Sequence, residues 1–134
     1  MAQLNHIGIF TAHPKRLLNF YTCALGFTTS QEAVLPKRIV YGIFKLRKEC
    51  TMVKLFKDAV CLEVFWLKEY KLKPNIKGAI GYNHFGLGVE NRDAWLMRLI
   101  REFKVEVTKI KRGDHYNYFI RDPDKNIIEI KELK

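Results

Sequence analysis

The pattern of apolar and polar positions predicts a strand followed by an amphipathic helix, and this sequence of two patterns occurs twice along the chain. Residues 4–10, LNHIGIF, and residues 82–88, YNHFGLG, are short apolar runs typical of strands. Each is followed by apolar residues three or four positions apart, which predicts an amphipathic helix. The two helical faces comprise residues 17, 18, 21, 24 and 25 in the first half and Trp95, Leu96, Leu99, Ile100 and Phe103 in the second.

The residues around these segments support helix boundaries. Pro14 suits the first position of a helix, and Gly26 stands where a glycine often ends one. Asn91 can cap the second helix with its side chain. Strand-like segments then complete each half: residues 27–34, 51–57 and 59–66 in the first, and 105–111, 115–121 and 126–132 in the second.

The order of elements predicts an α+β fold of two βαβββ modules in tandem within a single domain, residues 1–134. The first module spans residues 1–67 and the second 82–134, joined by a Lys-rich linker at 68–81 that contains one Pro and two Gly. Residues 38–47 are an insertion relative to the second half, and their pattern is compatible with either a strand or one helical turn.

The two halves also match without gaps at their beginnings. Asn5-His6 and Gly8 align with Asn83-His84 and Gly86, and the apolar positions stay in register for more than twenty residues. Such a register indicates an internal duplication.

Composition narrows the possible environments and partners. No apolar run is long enough for a membrane span, and the first residues lack the features of a signal peptide. Three cysteines without a CxxC spacing favour a reduced, cytoplasmic protein. The net charge of +10 is compatible with anionic partners, but no helix-turn-helix, zinc-finger or RNP pattern accompanies it. We therefore expect a solvated Lys-rich surface rather than a nucleic-acid interface.

Four residues are candidates for a functional site. His6 and His84 lie in the opening strands, and Glu63 and Glu129 are single carboxylates in otherwise apolar strands, CLEVF and IIEI. Taken alone, each has an ordinary structural explanation: a hydrogen-bonded histidine, or a glutamate on an outer face. Together, two imidazoles and two carboxylates would neutralise a divalent cation and leave two octahedral positions for a bidentate oxygen ligand.

The order of motifs over the whole chain resembles the vicinal oxygen chelate superfamily, also called glyoxalase/bleomycin resistance/dioxygenase. The motifs are NHIGIF, FYTCALGF, VCLEVF, NHFGLGV and YFIRDPDKNIIEI. The resemblance implies paired βαβββ modules forming a cup-shaped, partly open mixed sheet around a divalent metal (Ni, Zn, Co, Mn or Fe). It also implies a homodimer with a small-molecule substrate, and it places the metal ligands at His6, Glu63, His84 and Glu129.

The four ligands resemble those of lactoylglutathione lyase (glyoxalase I), in which a carboxylate moves a proton between neighbouring carbons through an enediolate. By that resemblance Glu129 is the first choice of catalytic base and Glu63 the second. Phe10, Cys61 and Phe65 are candidate substrate-binding residues.

The residues that bind glutathione in such lyases are replaced here. Phe10 stands in place of an Arg, Leu67 in place of an Asn, and Ile80 in place of a basic residue. We therefore expect a smaller or more apolar substrate than a glutathione adduct. In addition, Lys125 replaces the Gly of the family's Asp-Pro-Asp-Gly turn, and we expect Asn126 to adopt the left-handed conformation instead.

Related subfamilies leave alternatives open. Methylmalonyl-CoA epimerases resemble this layout but have Gln at the position of Glu63. Fosfomycin-resistance transferases and extradiol dioxygenases use two His and one Glu. Bleomycin-binding members sequester a ligand without metal, so a non-catalytic binding or resistance protein is the main alternative to an enzyme. The absence of GxGxxG, P-loop, GxSxG and HExxH patterns argues against nucleotide-dependent chemistry and the common hydrolase mechanisms.

Overall fold

The computed structural model describes residues 1–68 and 81–133 and divides the chain into two compact units, Met1–Pro74 and Asn75–Lys134. Each unit contains an open mixed β-sheet and helices, so the predicted α+β class is confirmed. Residues 69–80 of the predicted linker lie outside the described residues. No helix within the described ranges has both the length and the apolar character needed to cross a membrane.

The described residues of the first unit form five strands and two helices. Its sheet has the order β1-β5-β4-β2, with β3 also paired to β4; β1 runs parallel to β5, and the other pairs are antiparallel. The α1 helix continues into a π-helical turn at Phe20–Ala24. The elements are β1 (Ile7–Phe10), α1 (Pro14–Asn19), β2 (Thr28–Thr29), β3 (Ala33–Leu35), α2 (Lys37–Phe44), β4 (Cys50–Lys57) and β5 (Val60–Trp66).

The second unit repeats this topology without the additional helix. Its sheet has the order β6-β9-β8-β7, and its first and last strands again run parallel. The short strands β2 and β3 together occupy the place that β7 has in the second sheet. The elements are β6 (His84–Val89), α3 (Arg92–Phe103), β7 (Thr108–Arg112), β8 (His115–Arg121) and β9 (Ile127–Glu132).

The helix boundaries follow the predicted caps. Gly26 has φ +79°, and the N–H of Phe27 donates to the carbonyl of Tyr21 (2.9 Å), closing the first helical segment. The Asn91 side chain accepts a hydrogen bond from the N–H of Ala94 at 3.4 Å.

Two predicted strands differ from the observed ones. Residues 27–34 form two short strands because the Ser30 hydroxyl interrupts the ladder, accepting a hydrogen bond from the N–H of Lys54 at 2.9 Å. The predicted strand at 105–111 begins only at Thr108. Val105 lies just after α3, and its N–H donates to the carbonyl of Leu99 (3.2 Å) to close the helix end.

The insertion at 38–47 is helical: α2 spans Lys37–Phe44 and ends at Lys45, which has φ +61°. Pro36 precedes the helix in an extended conformation, which suits a residue at a helix start. Val40 is fully buried in a cluster of apolar side chains. The α2 helix therefore packs on apolar residues of the first unit, and the described residues of the second unit contain no equivalent helix.

Each unit has its own buried apolar residues. Most belong to the predicted helical faces and to alternate strand positions, and burying each large one stabilises the fold by about 1.5–3 kcal/mol. They include Leu17, Tyr21, Leu25, Val53, Leu55, Leu62 and Val64 in the first unit, and Leu87, Val89, Leu96, Leu99, Ile120, Ile128 and Ile130 in the second.

The turn before β9 corrects one expectation. Lys125, and not Asn126, adopts the left-handed conformation, with φ +69°. Asn126 instead donates its backbone N–H (3.0 Å) and its side-chain amide (2.8 Å) to the buried carboxylate of Asp122. These two bonds fix Asn126, so the preceding lysine must take the positive φ.

Candidate functional site

In the first unit, the parallel pairing of β1 and β5 brings His6 beside Glu63. Gly8 is the register partner of Glu63, and His6 lies immediately before β1. The Nε2 atom of His6 is 3.4 Å from Oε1 of Glu63, while the Nζ atom of Lys54 is 4.0 Å from Oε2. The Nδ1 atom of the histidine is 2.8 Å from the side-chain oxygen of Asn5.

The second unit repeats the arrangement. Gly86 is the register partner of Glu129, and His84 is the first residue of β6. The Nε2 atom of His84 is 3.7 Å from Oε2 of Glu129, and the Nζ atom of Lys131 is 3.2 Å from Oε1. The Nδ1 atom of His84 bonds to the side-chain oxygen of Asn83. The duplicated Asn-His sequence thus corresponds to a duplicated three-dimensional constellation.

The asparagines explain how the histidines are oriented. A neutral imidazole that donates its Nδ1–H to the asparagine oxygen keeps a lone pair on Nε2. That lone pair is directed at a carboxylate oxygen, which is also an acceptor. The two atoms are 3.4–3.7 Å apart, a separation that a cation between them would bridge. Each pair is therefore suited either to an imidazolium–carboxylate contact or to a metal ion.

The geometry fits metal coordination. Ligand bonds of about 2.1 Å at right angles place neighbouring donor atoms roughly 3.0 Å apart, slightly closer than the observed His–Glu distances. Imidazole nitrogen and carboxylate oxygen are ordinary donors for zinc, nickel, cobalt, manganese and iron. Among all the described residues, no group of three or more His, Cys, Asp or Glu that could hold a metal ion occurs. One pair alone does not complete the coordination sphere of such an ion.

Sequence reasoning missed the two lysines. Each glutamate directs one oxygen toward a lysine and the other toward its histidine. Lys131 follows Glu129 by two positions on one strand, a spacing that places both side chains on one face. Lys54 faces Glu63 through the register of β4 and β5, which the sequence does not reveal. The lysines balance the carboxylate charge while leaving the oxygen nearest each histidine accessible.

The candidate substrate-binding residues lie in the first unit. Phe10 and Phe65 form an aromatic cluster with Phe44 of α2, with ring centroids 4.7–5.5 Å apart. Phe65 and Leu67 belong to a buried apolar group that Phe10 packs against. Cys61 is half-buried on β5. Contact of these residues with a substrate remains a prediction.

The family model described as Glyoxalase/Bleomycin resistance protein/Dioxygenase superfamily matches residues 3–130. The chain belongs to this superfamily. No match was found among curated proteins.

Solved structures share the fold at low sequence identity. The trypanothione-dependent glyoxalase I of Leishmania major is 20% identical, with a TM-score of 0.72 over 98% of this chain and 87% of that one. A glyoxalase family protein from Enterococcus faecalis is 20% identical, with a TM-score of 0.72 over 97% of each chain. A lactoylglutathione lyase from Agrobacterium tumefaciens is 19% identical, with a TM-score of 0.65 over 98% and 94% of the two chains.

Proposed function

We propose that this superfamily member is a divalent-metal-dependent lyase or isomerase of the glyoxalase type, acting on a small substrate with adjacent oxygens. The observation that carries the proposal is the repeated pairing of a histidine Nε2 with a glutamate oxygen, each histidine held by an asparagine. A merely structural histidine would not require the same two partners in both units.

The metal ligands in this proposal are His6, Glu63, His84 and Glu129. Because each unit supplies two donors, a complete site needs both pairs, either from one chain or from two chains of a homodimer. A bound divalent ion would polarise the adjacent oxygens of the substrate. The resident ion is one of nickel, zinc, cobalt, manganese or iron, all of which accept this donor set.

Glu129 is the proposed base that takes a proton from one substrate carbon and returns it to the neighbouring carbon. Its side chain is 14% exposed, and Lys131 holds one of its oxygens. The other oxygen faces His84 and would have to be released from the ion when it accepts the proton. Glu63, which is 17% exposed and has a longer lysine contact, is the second choice.

Glutathione is not the expected thiol carrier. Phe10 and Leu67, at two of the positions where related lyases have polar groups, belong to the apolar cluster that α2 covers. An anionic tripeptide would lose charge-assisted hydrogen bonds there, each of which contributes about 1.5–3 kcal/mol. Ile80, at the third position, lies outside the described residues. The names of two structural relatives support the reaction class, since one is a trypanothione-dependent glyoxalase I and another a lactoylglutathione lyase.

Turnover of metal-loaded protein tests the proposal. Untagged protein loaded with nickel, cobalt, zinc or manganese would be incubated with 2-oxoaldehydes and 2-hydroxyketones in deuterated water. Proton NMR would follow isomerisation and deuterium incorporation at the carbon next to the carbonyl. We expect Glu129→Gln to lower kcat by about 100-fold or more, as for loss of a general base.

The matched control is Glu106→Gln, an exposed glutamate of the same unit, which should change kcat less than about twofold. Metal content measured on the same samples separates loss of the base from loss of the ion. Ligand binding without metal and without turnover would favour the alternative, a non-catalytic binding or resistance protein. Equal turnover in wild type and Glu129→Gln would contradict the assigned base.

A further inference from the structure

The second sheet divides at one end, between β8 and β9. The last register pair between these strands is Tyr118 with Ile130. Beyond it, β8 continues to His115 while paired only with β7, and β9 continues to Glu132 while paired only with β6. A cavity of about 350 Å³ opens at this division. We call it the β8–β9 cleft; it is lined by Arg92, His115, Tyr116, Asn117, Tyr118, Glu129, Ile130 and Lys131.

Arg92 is the most distinctive group in the β8–β9 cleft. The central carbon of its guanidinium lies 4.3 Å from the centre of the Tyr118 ring, a stacking distance. Its Nε atom is buried and has no hydrogen-bond partner among the described residues. The Asp93 carboxylate is 3.6 Å from that atom, but its side chain is 81% exposed, so the ion pair is worth little. A buried, unsatisfied arginine donor requires an acceptor.

The backbone fixes the position of Arg92 relative to β9. The Glu132 carboxylate accepts hydrogen bonds from the N–H groups of Asn91 (2.9 Å) and Arg92 (2.8 Å) at the start of α3. These bonds satisfy the beginning of the helix, so its backbone is not the free donor in this region. The free donor is the arginine side chain, held over Tyr118.

Charge in the β8–β9 cleft favours an anion. Lys131 lies 3.2 Å from Glu129 and balances that carboxylate, which leaves Arg92 as a further cation in the lining. A third cation, Lys109, lies with its Nζ atom 4.1 Å from the centre of the Tyr116 ring. The planar guanidinium matches the paired oxygens of carboxylate and phosphate groups.

We propose that the β8–β9 cleft binds an anionic oxygen group, a carboxylate or a phosphate, through Arg92, with Lys109 adding positive charge beside the tyrosine rings. Glu129 lines the same cleft, so such a group places the rest of its molecule beside the proposed base. The assignment of this anion to the substrate rests on the proposed function. The binding of the anion itself requires neither the metal nor turnover.

The test uses inorganic phosphate and acetate as probes on metal-free, full-length protein. Each anion is titrated against ¹⁵N-labelled protein at constant ionic strength, with chloride replaced. The side-chain Nε–H signal of Arg92 reports directly on the unsatisfied donor. We expect a saturable shift of this signal, with the amides of residues 115–118 and 130–131 moving along the same curve. Tighter binding of phosphate identifies a phosphate-type group, and tighter binding of acetate a carboxylate.

Two variants and one control complete the test. Arg92→Gln should weaken anion binding by about tenfold or more, since charge-assisted hydrogen bonds are lost. Lys109→Met, which keeps the apolar stem, should weaken it several-fold and serves as the second variant if Arg92→Gln does not fold. Arg101→Gln, on the same helix, removes the same charge away from the cleft and should retain wild-type affinity. No saturable shift with either anion, or wild-type binding by Arg92→Gln, would overturn the proposal.

Discussion

His84 and Glu129 face each other across the parallel strands β6 and β9, with Nε2 of the histidine 3.7 Å from Oε2 of the glutamate. The corresponding pair in the first unit, His6 and Glu63, has a distance of 3.4 Å. In both cases a glycine is the register partner of the glutamate, and an asparagine holds the far nitrogen of the histidine. The two units therefore share the same His–Glu contact and the same asparagine partner of the histidine.

Removing the asparagine should weaken metal binding without unfolding the protein. In Asn83→Ala, the His84 ring loses the acceptor for Nδ1–H, so the orientation of Nε2 is no longer fixed. We expect metal affinity to fall about 10- to 100-fold, as for other outer-shell partners. Competition with a chromophoric chelator measures the affinity. Asn19→Ala, at an exposed helical position, is the control, and an unchanged affinity in Asn83→Ala would contradict the assigned role.

Gly86 should be required for ligand access and not for folding. A Cβ atom added at this position would meet no described atom within 4 Å, so Gly86→Val should keep or raise the melting temperature. The side chain would nevertheless project beside Glu129, the register partner of Gly86. We expect kcat/KM to fall about tenfold or more. Gly42→Ala, in α2 and also without a neighbour within 4 Å, should leave kcat/KM unchanged.

We expect Lys125 to lower the free energy of unfolding relative to a glycine at the same position. Its φ of +69° costs a side-chain-bearing residue about 1 kcal/mol relative to glycine. Lys125→Gly should therefore raise the free energy of unfolding by about 1 kcal/mol, measured by urea denaturation. Lys111→Gly, in the exposed strand β7, should not stabilise, because no positive φ is relieved there. Equal effects at both positions would show that loss of charge, and not of strain, is responsible.

The cysteines should differ in reactivity. Burial raises the pKa of the Cys50 thiol, an effect that a backbone hydrogen bond with Trp66 only partly opposes. Cys23 is exposed, so at pH 8 a thiol-specific chromogenic reagent should label it quickly and Cys50 only on unfolding. Cys23→Ser should remove the fast phase, and urea should expose all the remaining thiols. Rapid labelling of Cys50 in the folded protein would contradict its burial.

The sequence predicted which histidines and glutamates are equivalent in the two units, but not which residues surround each pair. The matched positions of His6 and His84, and of Glu63 and Glu129, followed from the duplication, because equivalent strands pair equivalently. The contact of Lys54 with Glu63 depends on the register between β4 and β5, which local patterning does not specify.

Two other features were also beyond sequence reasoning. The segment at 38–47 was too short for its period to separate helix from strand, and its packing against Phe10 and Phe65 decides for helix α2. The β8–β9 cleft arises where paired strands diverge, and the alternation of side chains along β8 continues unchanged through that point. The point where the two strands diverge therefore cannot be recognised from the apolar and polar pattern of the sequence.

The proposal that the two His–Glu pairs bind one metal ion is tested most directly by metal stoichiometry. Untagged protein would be analysed by ICP-MS and by calorimetric titration with cobalt or zinc, beside His6→Ala and His84→Ala. His13→Ala, at an exposed position, is the control.

We expect about one divalent ion per chain in the wild-type protein and in His13→Ala. We also expect His6→Ala and His84→Ala each to lower the affinity for all of the bound metal by at least about tenfold. Wild-type protein that takes up no divalent ion would contradict the proposal. So would single variants that each retain half of the ions at unchanged affinity, since the two pairs would then act separately.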